Sequence, residues 1–442
     1  MPANILNLSE YTVVRIEESA HDYHIAAEVA KPPRACPECA GTNLIGHGRY
    51  QQVVRDLPMH GKRVGIYVDT RRWRCAACGK TFMEALPSVD DKRAMTRRLE
   101  RWIGEQSMRR TFASLAEDVG IDEKTVRNIF RDYVNEMEAQ FRFETPTWMG
   151  LDEIHLIRPR CVISNLRNNT VVNLLPSRDK KTVANYLYSL DHREDVQYVA
   201  MDMWTPYRDA VQAVLPGATI VIDKFHVVRM ANDAMERARK GLREKLLPKQ
   251  RRGLMHDRFV LLKRERDLTA QEQLLMDGWT ANYPELGAAY RLKEAFYGVY
   301  ETAKTVSDAV HQYTVWNQSV PHDMHSYFSD LIRAWTNWQP YIVNYFAHPV
   351  TNAYTESLNN LIRVMDRLGR GYSFEALRAK VLFTEGLHKR KAPVPKFQRR
   401  RDMEMMMVGG SWEEPAGSTD SRERNYGTDI ALLTEMLASG KL

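Results

Sequence analysis

The sequence predicts a multidomain α+β protein, and three observations predict it. Two CxxC pairs lie in the N-terminal part of the chain. Two amphipathic helical patterns follow, joined through Gly120. From residue 147 onward, short apolar runs that end in acids alternate with helical patterns, and a long helix-rich stretch interrupts them. At 442 residues the chain exceeds what one ordinary core organises, which points to roughly two to four domains.

Composition narrows the class. No apolar run is long enough to span a bilayer. The opening residues, MPANILNLSEYTVVRIEE, lack a basic start followed by an apolar stretch, so no secretion signal is expected. The expected location is the cytoplasm, without a membrane partner. A net charge of +7 suits a polyanion, because each neutralised phosphate releases counterions. No phosphate-cradling glycine loop occurs, so no NTP is expected as a partner.

Four of the five cysteines form the pairs Cys36/Cys39 and Cys75/Cys78. In a reducing compartment this spacing points to metal rather than disulfides, since each CxxC turn aims two thiolates at one tetrahedral ion. Gly79 follows the second pair where a tight turn needs it. Between the pairs lie an alternating run, Arg63 to Val68, and a basic stretch, Arg71-Arg72-Trp73-Arg74. This reads as a zinc-ribbon-like module with one basic edge. Four protein ligands leave no open position, so the Zn2+ is expected to be structural. His47 and His60 lie inside the span, but the cysteines already complete the shell. Cys161, in an apolar run, is expected to be a buried bystander.

Residues 92–109 read as a basic amphipathic helix. Ala113, Leu115, Ala116 and Val119 then supply an inward face, Gly120 a turn and Asp122 a cap; Val126, Ile129 and Phe130 give the next helix its apolar side. The layout is helix-turn-helix, whose second helix enters the major groove of double-stranded DNA. Lys124, Thr125, Arg127, Asn128 and Arg131 are its expected contacts. The plainer alternative is a helical bundle with a solvated basic face; the adjacent zinc module favours DNA.

The run Thr147–Leu156 carries Asp152. Strand-like runs Cys161–Leu166 and Thr170–Leu175 follow, then a helix over 179–190, a strand ending at Asp202, a helix Pro206–Val214 and a strand ending at Asp223. The order β-β-β-α-β-α-β matches a ribonuclease H-like α/β domain, in which neighbouring strands bring acids to one sheet edge. A buried carboxylate needs a partner, and a divalent metal is a natural one: two such acids can hold Mg2+ or Mn2+ for phosphoryl chemistry. The third acid should come from a helix. Asn352, Glu356, Asn359, Asn360, Arg363 and Arg367 share one face of a helix that Asn352 can cap. Tyr354, Leu358, Leu361, Ile362 and Met365 share the other, which is expected to pack on the sheet and aim Glu356 at the acids. Glu153 should point away from Asp152 by strand alternation. Asp223 competes with Asp202 as the second acid; Asp202 is preferred because its strand should lie beside that of Asp152. Asp223 and His226, spaced i, i+3, are either auxiliary to the site or a structural pair.

On these residues the chain resembles the DDE transposases of bacterial insertion sequences, in particular the ISL-three family. The resemblance covers roughly residues 30–390 and rests on both CxxC pairs, Gly150-Leu-Asp152-Glu-Ile, Met201-Asp202-Met-Trp, Asp223-Lys-Phe-His226 and Asn352-Ala-Tyr-Thr-Glu356-Ser-Leu-Asn. It implies that Asp152, Asp202 and Glu356 bind the catalytic metals. It also implies recognition of terminal inverted repeats, strand cleavage that leaves 3′-hydroxyls, and direct attack of these on target DNA. Two ends must be held together, so a homodimer or higher oligomer on DNA is expected. Two rivals remain at this stage: a DNA-binding regulator on a transposase-derived fold, and a ribonuclease H-like nuclease that cuts without joining.

The expected map is a zinc-binding domain over 1–90, the helix-turn-helix over 91–143, the first part of the catalytic domain over 144–228, a helical insertion over 229–348, the Glu356 helix and the rest of the catalytic domain over 349–390, and a tail over 391–442. The insertion opens with a basic run, Arg237 to Arg252, and later carries Trp279, Trp316, Trp335 and Trp338. Those rings either stack an exposed base or fill a helical core, the plainer reading.

Overall fold

The computed structural model describes residues 5–386 except 91 and 142, and these lie in one compact unit. They build two sheets. The first contains β1 (Tyr11–Glu18), β2 (Asp22–Val29), β3 (Leu44–Met59), β4 (Lys62–Cys75), β5 (Thr81–Met83), β6 (Val89–Asp90) and β7 (Met95–Thr96). Its order is β1-β2-β4-β3-β7-β6, with β5 added to β4. β3 and β4 form a long antiparallel hairpin, closed at Met59↔Lys62 and open at Leu44↔Cys75. Near the closed end the alternating residues Tyr23, Ile25, Ala27 and Val29 of β2 meet Val54, Val64, Ile66 and Val68. The cysteines occupy the open end. The N-terminal module is therefore larger than a zinc ribbon: it has its own apolar core, which the strict alternation of residues 22–29 already encoded.

α1 (Arg97–Ser107), α2 (Phe112–Val119) and α3 (Glu123–Gln140) follow. α1 is shorter than the expected span 92–109, because Met95 and Thr96 pair with β3 and β6 and Thr96 caps the helix. The Thr111 and Asp122 side chains cap α2 and α3, and Gly120 takes the left-handed conformation between them, φ +72°.

The second sheet is built from β8 (Trp148–His155), β9 (Pro159–Asn165), β10 (Thr170–Leu175), β11 (Tyr198–Met201) and β12 (Thr219–Ile222). Its order is β10-β9-β8-β11-β12. β8, β9 and β10 are antiparallel; β11 and β12 run parallel to β8. α4 (Lys180–Tyr188), α5 (Thr205–Val214) and α6 (Lys224–Glu244) alternate with the later strands. This is the ribonuclease H-like order read from the sequence.

Seven helices extend the domain: α7 (Pro248–His256), α8 (Arg258–Leu262), α9 (Ala270–Asn282), α10 (Pro284–Thr302), α11 (Val306–Ser319), α12 (His325–Ile342) and α13 (Asn344–Ala347). They share one core with Met149, Leu151, Met201 and Ile222 on one face of the sheet. The other face, with Ile154, Val162, Val171 and Leu174, is covered by α14 (Ala353–Gly369), α15 (Phe374–Val381) and the helix-turn-helix. Three of the four tryptophans named in the insertion fill its core, and Trp279 packs against it. Trp316, Trp335 and Trp338 are 3%, 1% and 8% exposed, Tyr313 stacks on Trp335 with centroids 4.0 Å apart, and Trp279 donates to Asp257. Trp316, Trp335 and Trp338, enclosed this way, offer no open face to a base, whereas Trp279 is half-buried. Part of the basic run is likewise internal: Arg239 is buried against Glu236.

No helix among the described residues is long and apolar enough to cross a membrane. The expected basic linker at 389–401, the Met403–Val408 cluster, the segment 409–424 and a helix at Asp429–Leu437 lie outside the described residues.

Candidate functional site

Parallel pairing sets Leu151 beside Met201, and Met201 beside Ile222. The next residue on each strand is an acid. Asp152, Asp202 and Asp223 therefore stand in a row at one sheet edge, and β11 does lie next to β8. Asp152 is 5% exposed and Asp223 fully buried. The Asp152 carboxylate accepts from the Glu153 N–H at 2.7 Å and from Asn359 Nδ2 at 2.7 Å. Burial, then the charge of Asp202, still lifts its pKa to about 7. Asp223 caps α6 by accepting from the Phe225 N–H and also accepts from the Asn352 N–H. Burial raises it to about 6 against the pull of the Phe225 N–H.

His226 makes its close carboxylate contact with Asp202, Nδ1 to Oδ1 2.9 Å, while Asp223 is engaged by backbone. Asp223 stays near His226, whose backbone N–H donates to the Asp223 carbonyl at 3.2 Å. Burial works against the imidazolium, but Asp202, Asp223 and Asp152 outweigh it and raise His226 to about 9. Glu153 points to the opposite sheet face and pairs with Arg178, as strand alternation predicted.

α14 brings Glu356 to this edge. One ligand atom each from Asp223, His226 and Glu356 lies within 4.8 Å of the others, a spacing that suits a metal ion. The charge of Glu356 is also felt at Asp152. The group with metal-ligand spacing is two carboxylates and an imidazole, with Asp152 and Asp202 beside it rather than in it; the carboxylates suit Mg2+ or Mn2+. Burial is the main cause that raises both Asp152 and Asp223, with the neighbouring acids adding to it.

The helix docks differently from the expectation. Its buried residues include Asn352, Thr355, Leu358, Asn359 and Ile362, whereas Leu361 is 36% exposed. Asn352 holds the N-cap position without a side-chain cap. Its Nδ2 donates to the Leu151 carbonyl at 3.1 Å, and its Oδ1 accepts from Thr355 Oγ1 at 2.5 Å. Thr355 Oγ1 lies 2.6 Å from Ser164 Oγ. Gly150 faces this trio: a Cβ there would sit 2.5 Å from Asn352 Oδ1 and Thr355 Oγ1, and against Ser164. Sequence reasoning saw Asn352 and Asn359 on a polar stripe and missed that the stripe is partly internal. The spacing signal was present; the polar residue types hid it.

At the hairpin's open end, Cys36 and Cys78 sulfurs lie 3.8 Å apart and those of Cys39 and Cys75 3.6 Å, and all four form one group. Each pair closes a tight turn: Ala40 N–H donates to the Cys36 carbonyl, Gly79 N–H to that of Cys75. Ala40 and Gly79 both have positive φ, +58° and +73°. N–H groups of Cys78 and Ala77 pull the Cys75 thiol down to about 7 against burial. His60 lies at the closed end, beside Tyr23, away from the cysteines. Cys161 is fully buried in β9.

On α3, Lys124, Arg127 and Arg131 are exposed and Thr125 and Asn128 half-buried. Arg127 pairs with Glu123 at 2.6 Å, Thr125 bonds the capping Asp122, and Arg131 donates to Asn128.

Comparison with known families follows the same three-part order. Residues 32–78 match the family described as zinc-finger of transposase IS204/IS1001/IS1096/IS1165. Residues 84–134 match the helix-turn-helix domain of transposase family ISL3. Residues 149–381, more than half of the chain, match the ISL3 family described as Transposase. The chain belongs to the ISL3 transposase family. Among its relatives, the transposase for insertion sequence element IS1001 of Bordetella parapertussis is 24% identical over 351 residues, 76% of this chain and 85% of the relative. The transposase for IS1557 of Mycobacterium tuberculosis is 23% identical over 387 residues, 80% and 79% of the two chains. This ISL3 transposase is a DNA-cleaving and DNA-transferring enzyme with two DNA-binding modules, and its cysteine cluster is the donor set of a zinc ribbon.

Proposed function

We propose that this transposase binds the terminal inverted repeats of its insertion sequence, cuts there and joins the freed 3′ ends to target DNA, with Asp152, Asp202 and Glu356 as ligands of Mg2+ or Mn2+. The observation that carries this reading is the shared register of Leu151, Met201 and Ile222, which lines up three strand-end acids opposite the Glu356 helix. Divalent ions held there supply Lewis-acid activation of the attacking oxygen and neutralise charge at the scissile phosphate. The chain's own residues position that chemistry. Asn359 orients Asp152, and Asp223 anchors both the start of α6 and the start of α14. His226 orients Asp202 and places positive charge beside it. Asp223 and His226 are auxiliary on this reading; their closeness to Glu356 supports a direct share in one metal.

Cys36, Cys39, Cys75 and Cys78 hold a structural Zn2+. Lys124, Thr125, Arg127, Asn128 and Arg131 face the repeat. Residues 1–90, 91–143, 144–228 with 349–390, and 229–348 act as the zinc, recognition, catalytic and insertion parts, and the enzyme works as a dimer or larger assembly on paired ends. The test is cleavage and strand transfer on labelled DNA carrying the terminal repeat, in Mg2+ and in Mn2+, for wild type beside Glu356→Gln. Joined product from wild type alone is the expected result. Repeat binding without chemistry by either protein would remove the assignment, and breaks without joined product would make this a nuclease.

A further inference from the structure

The helix that carries Glu356 also carries a line of arginines toward the recognition helix. At 100° per residue, Glu356, Asn360, Arg363 and Arg367 lie within about 60° of one another around α14. Arg370, in the turn that ends the helix, continues the line. Arg367 and Arg370 are exposed, and neither has a carboxylate partner among the described residues. Arg363 donates to the neighbouring Asn360 at 3.0 Å.

This line runs into a cleft of about 1100 Å³ between α3 and the turn after α14. Arg127 and Arg131 line it from the recognition helix, Arg367 from the last turn of α14 and Arg370 from the turn that follows. Two of its acids, Glu123 and Glu138, are already paired with Arg127 and Arg378. Arg131, Arg367 and Arg370 therefore set the sign of the opening, against Glu375 alone among the described lining residues.

The turn is held rigidly. Tyr372 packs its ring on Gly369 and on Phe112 of α2, with centroids 5.4 Å apart in the latter pair. Buried Lys380 donates to the carbonyls of Ser107 and Arg110, tying α15 to the end of α1. Arg370 itself sits at φ +50°, a left-handed conformation that costs a non-glycine residue about 1 kcal/mol.

We propose that Arg363, Arg367 and Arg370 grip the sugar-phosphate backbone of the element-end duplex between the recognition helix and the acid cluster of the same chain. The inference rests on the end-binding reading above. Glu356 and Arg367 are eleven residues apart, about 16 Å along the helix axis. That corresponds to about five nucleotide steps of duplex. The helix thus spaces the recognised sequence from the cut.

The test uses the full-length protein and a labelled duplex carrying the element end, with affinity measured across a salt series and with phosphate-ethylation interference. Arg367→Ala/Arg370→Ala should weaken end binding about tenfold or more and lower the salt slope by about 2, one for each lost phosphate contact. Interference should vanish at phosphates about five to seven steps from the cut and persist where α3 reads. Arg370→Lys should keep most of the affinity. Both side chains are exposed, so the double variant should melt with the wild type. Unchanged affinity and slope in the double variant, or lost signals confined to the α3 site, would overturn the proposal. A wild type that does not bind the end would instead overturn the function reading, and this inference with it.

Discussion

Asn359 donates its side-chain amide to Asp152 Oδ2 at 2.7 Å and reaches the Glu153 carbonyl at 3.3 Å. One buried amide thus joins the helix of Glu356 to the strand of Asp152. Hydrogen bonds to charged groups contribute about 1.5–3 kcal/mol. Asn359→Leu is expected to lower stability by about that amount and to cut strand cleavage at least tenfold, while repeat binding stays near wild type. Denaturant melts, gel shifts and cleavage rates measure the three. Wild-type cleavage by a well-folded Asn359→Leu would show that Asp152 needs no such anchor.

Gly150 marks the closest approach of that helix to β8. A methyl group there collides with the Asn352, Thr355 and Ser164 side chains. Overpacking of this kind costs about 1–3 kcal/mol. Gly150→Ala should destabilise the protein by that order and displace the start of α14, so cleavage should fall further than stability. Adding Ser164→Ala, which removes one of the colliding oxygens, should restore part of both. No recovery in the double variant would mean the collision is relieved elsewhere.

The raised pKa of Asp152 has a defined pH signature in metal-free protein. Below about pH 4 the group is protonated in both folded and unfolded chains and favours neither. Between that point and about 7 the unfolded chain ionises and the folded one resists, so stability drains away as pH rises. Asp152→Asn lacks this drain. Its melting temperature should gain on the wild type from about pH 4 to 7 and then run parallel. Mg2+ should close the gap by stabilising wild type alone. A gap independent of pH would return Asp152 to ordinary carboxylate behaviour.

Cys39→Ser removes one donor from the open end of the β3–β4 hairpin. Zinc content should drop to background, and repeat binding should weaken. The closed end keeps its own core of Ile25, Val54 and Ile66, so the main melting transition should move little. Metal analysis of the purified variant, beside its melt, checks both halves. Full zinc content would remove Cys39 from the site.

Much of this enzyme was legible from local chemistry. CxxC spacing, the Gly120 turn with the Asp122 cap after it, and apolar runs that end in Asp152, Asp202 and Asp223 each report on a few neighbouring residues and their preference for water, metal or a turn. Those preferences do not depend on the rest of the chain. The sequence by itself therefore determined the three modules, their order and the candidate acids. The tertiary structure decided what depends on partners far away in sequence. Asn352 meets Leu151 across 201 residues and Asn359 meets Asp152 across 207. Only such contacts reveal that α14 buries amides and a hydroxyl rather than Leu361, that His226 turns to Asp202, and that the end of the Glu356 helix faces the recognition helix across a cleft. A polar side chain enters a core only where a specific partner awaits it, and that partner is set by the fold rather than by neighbouring sequence.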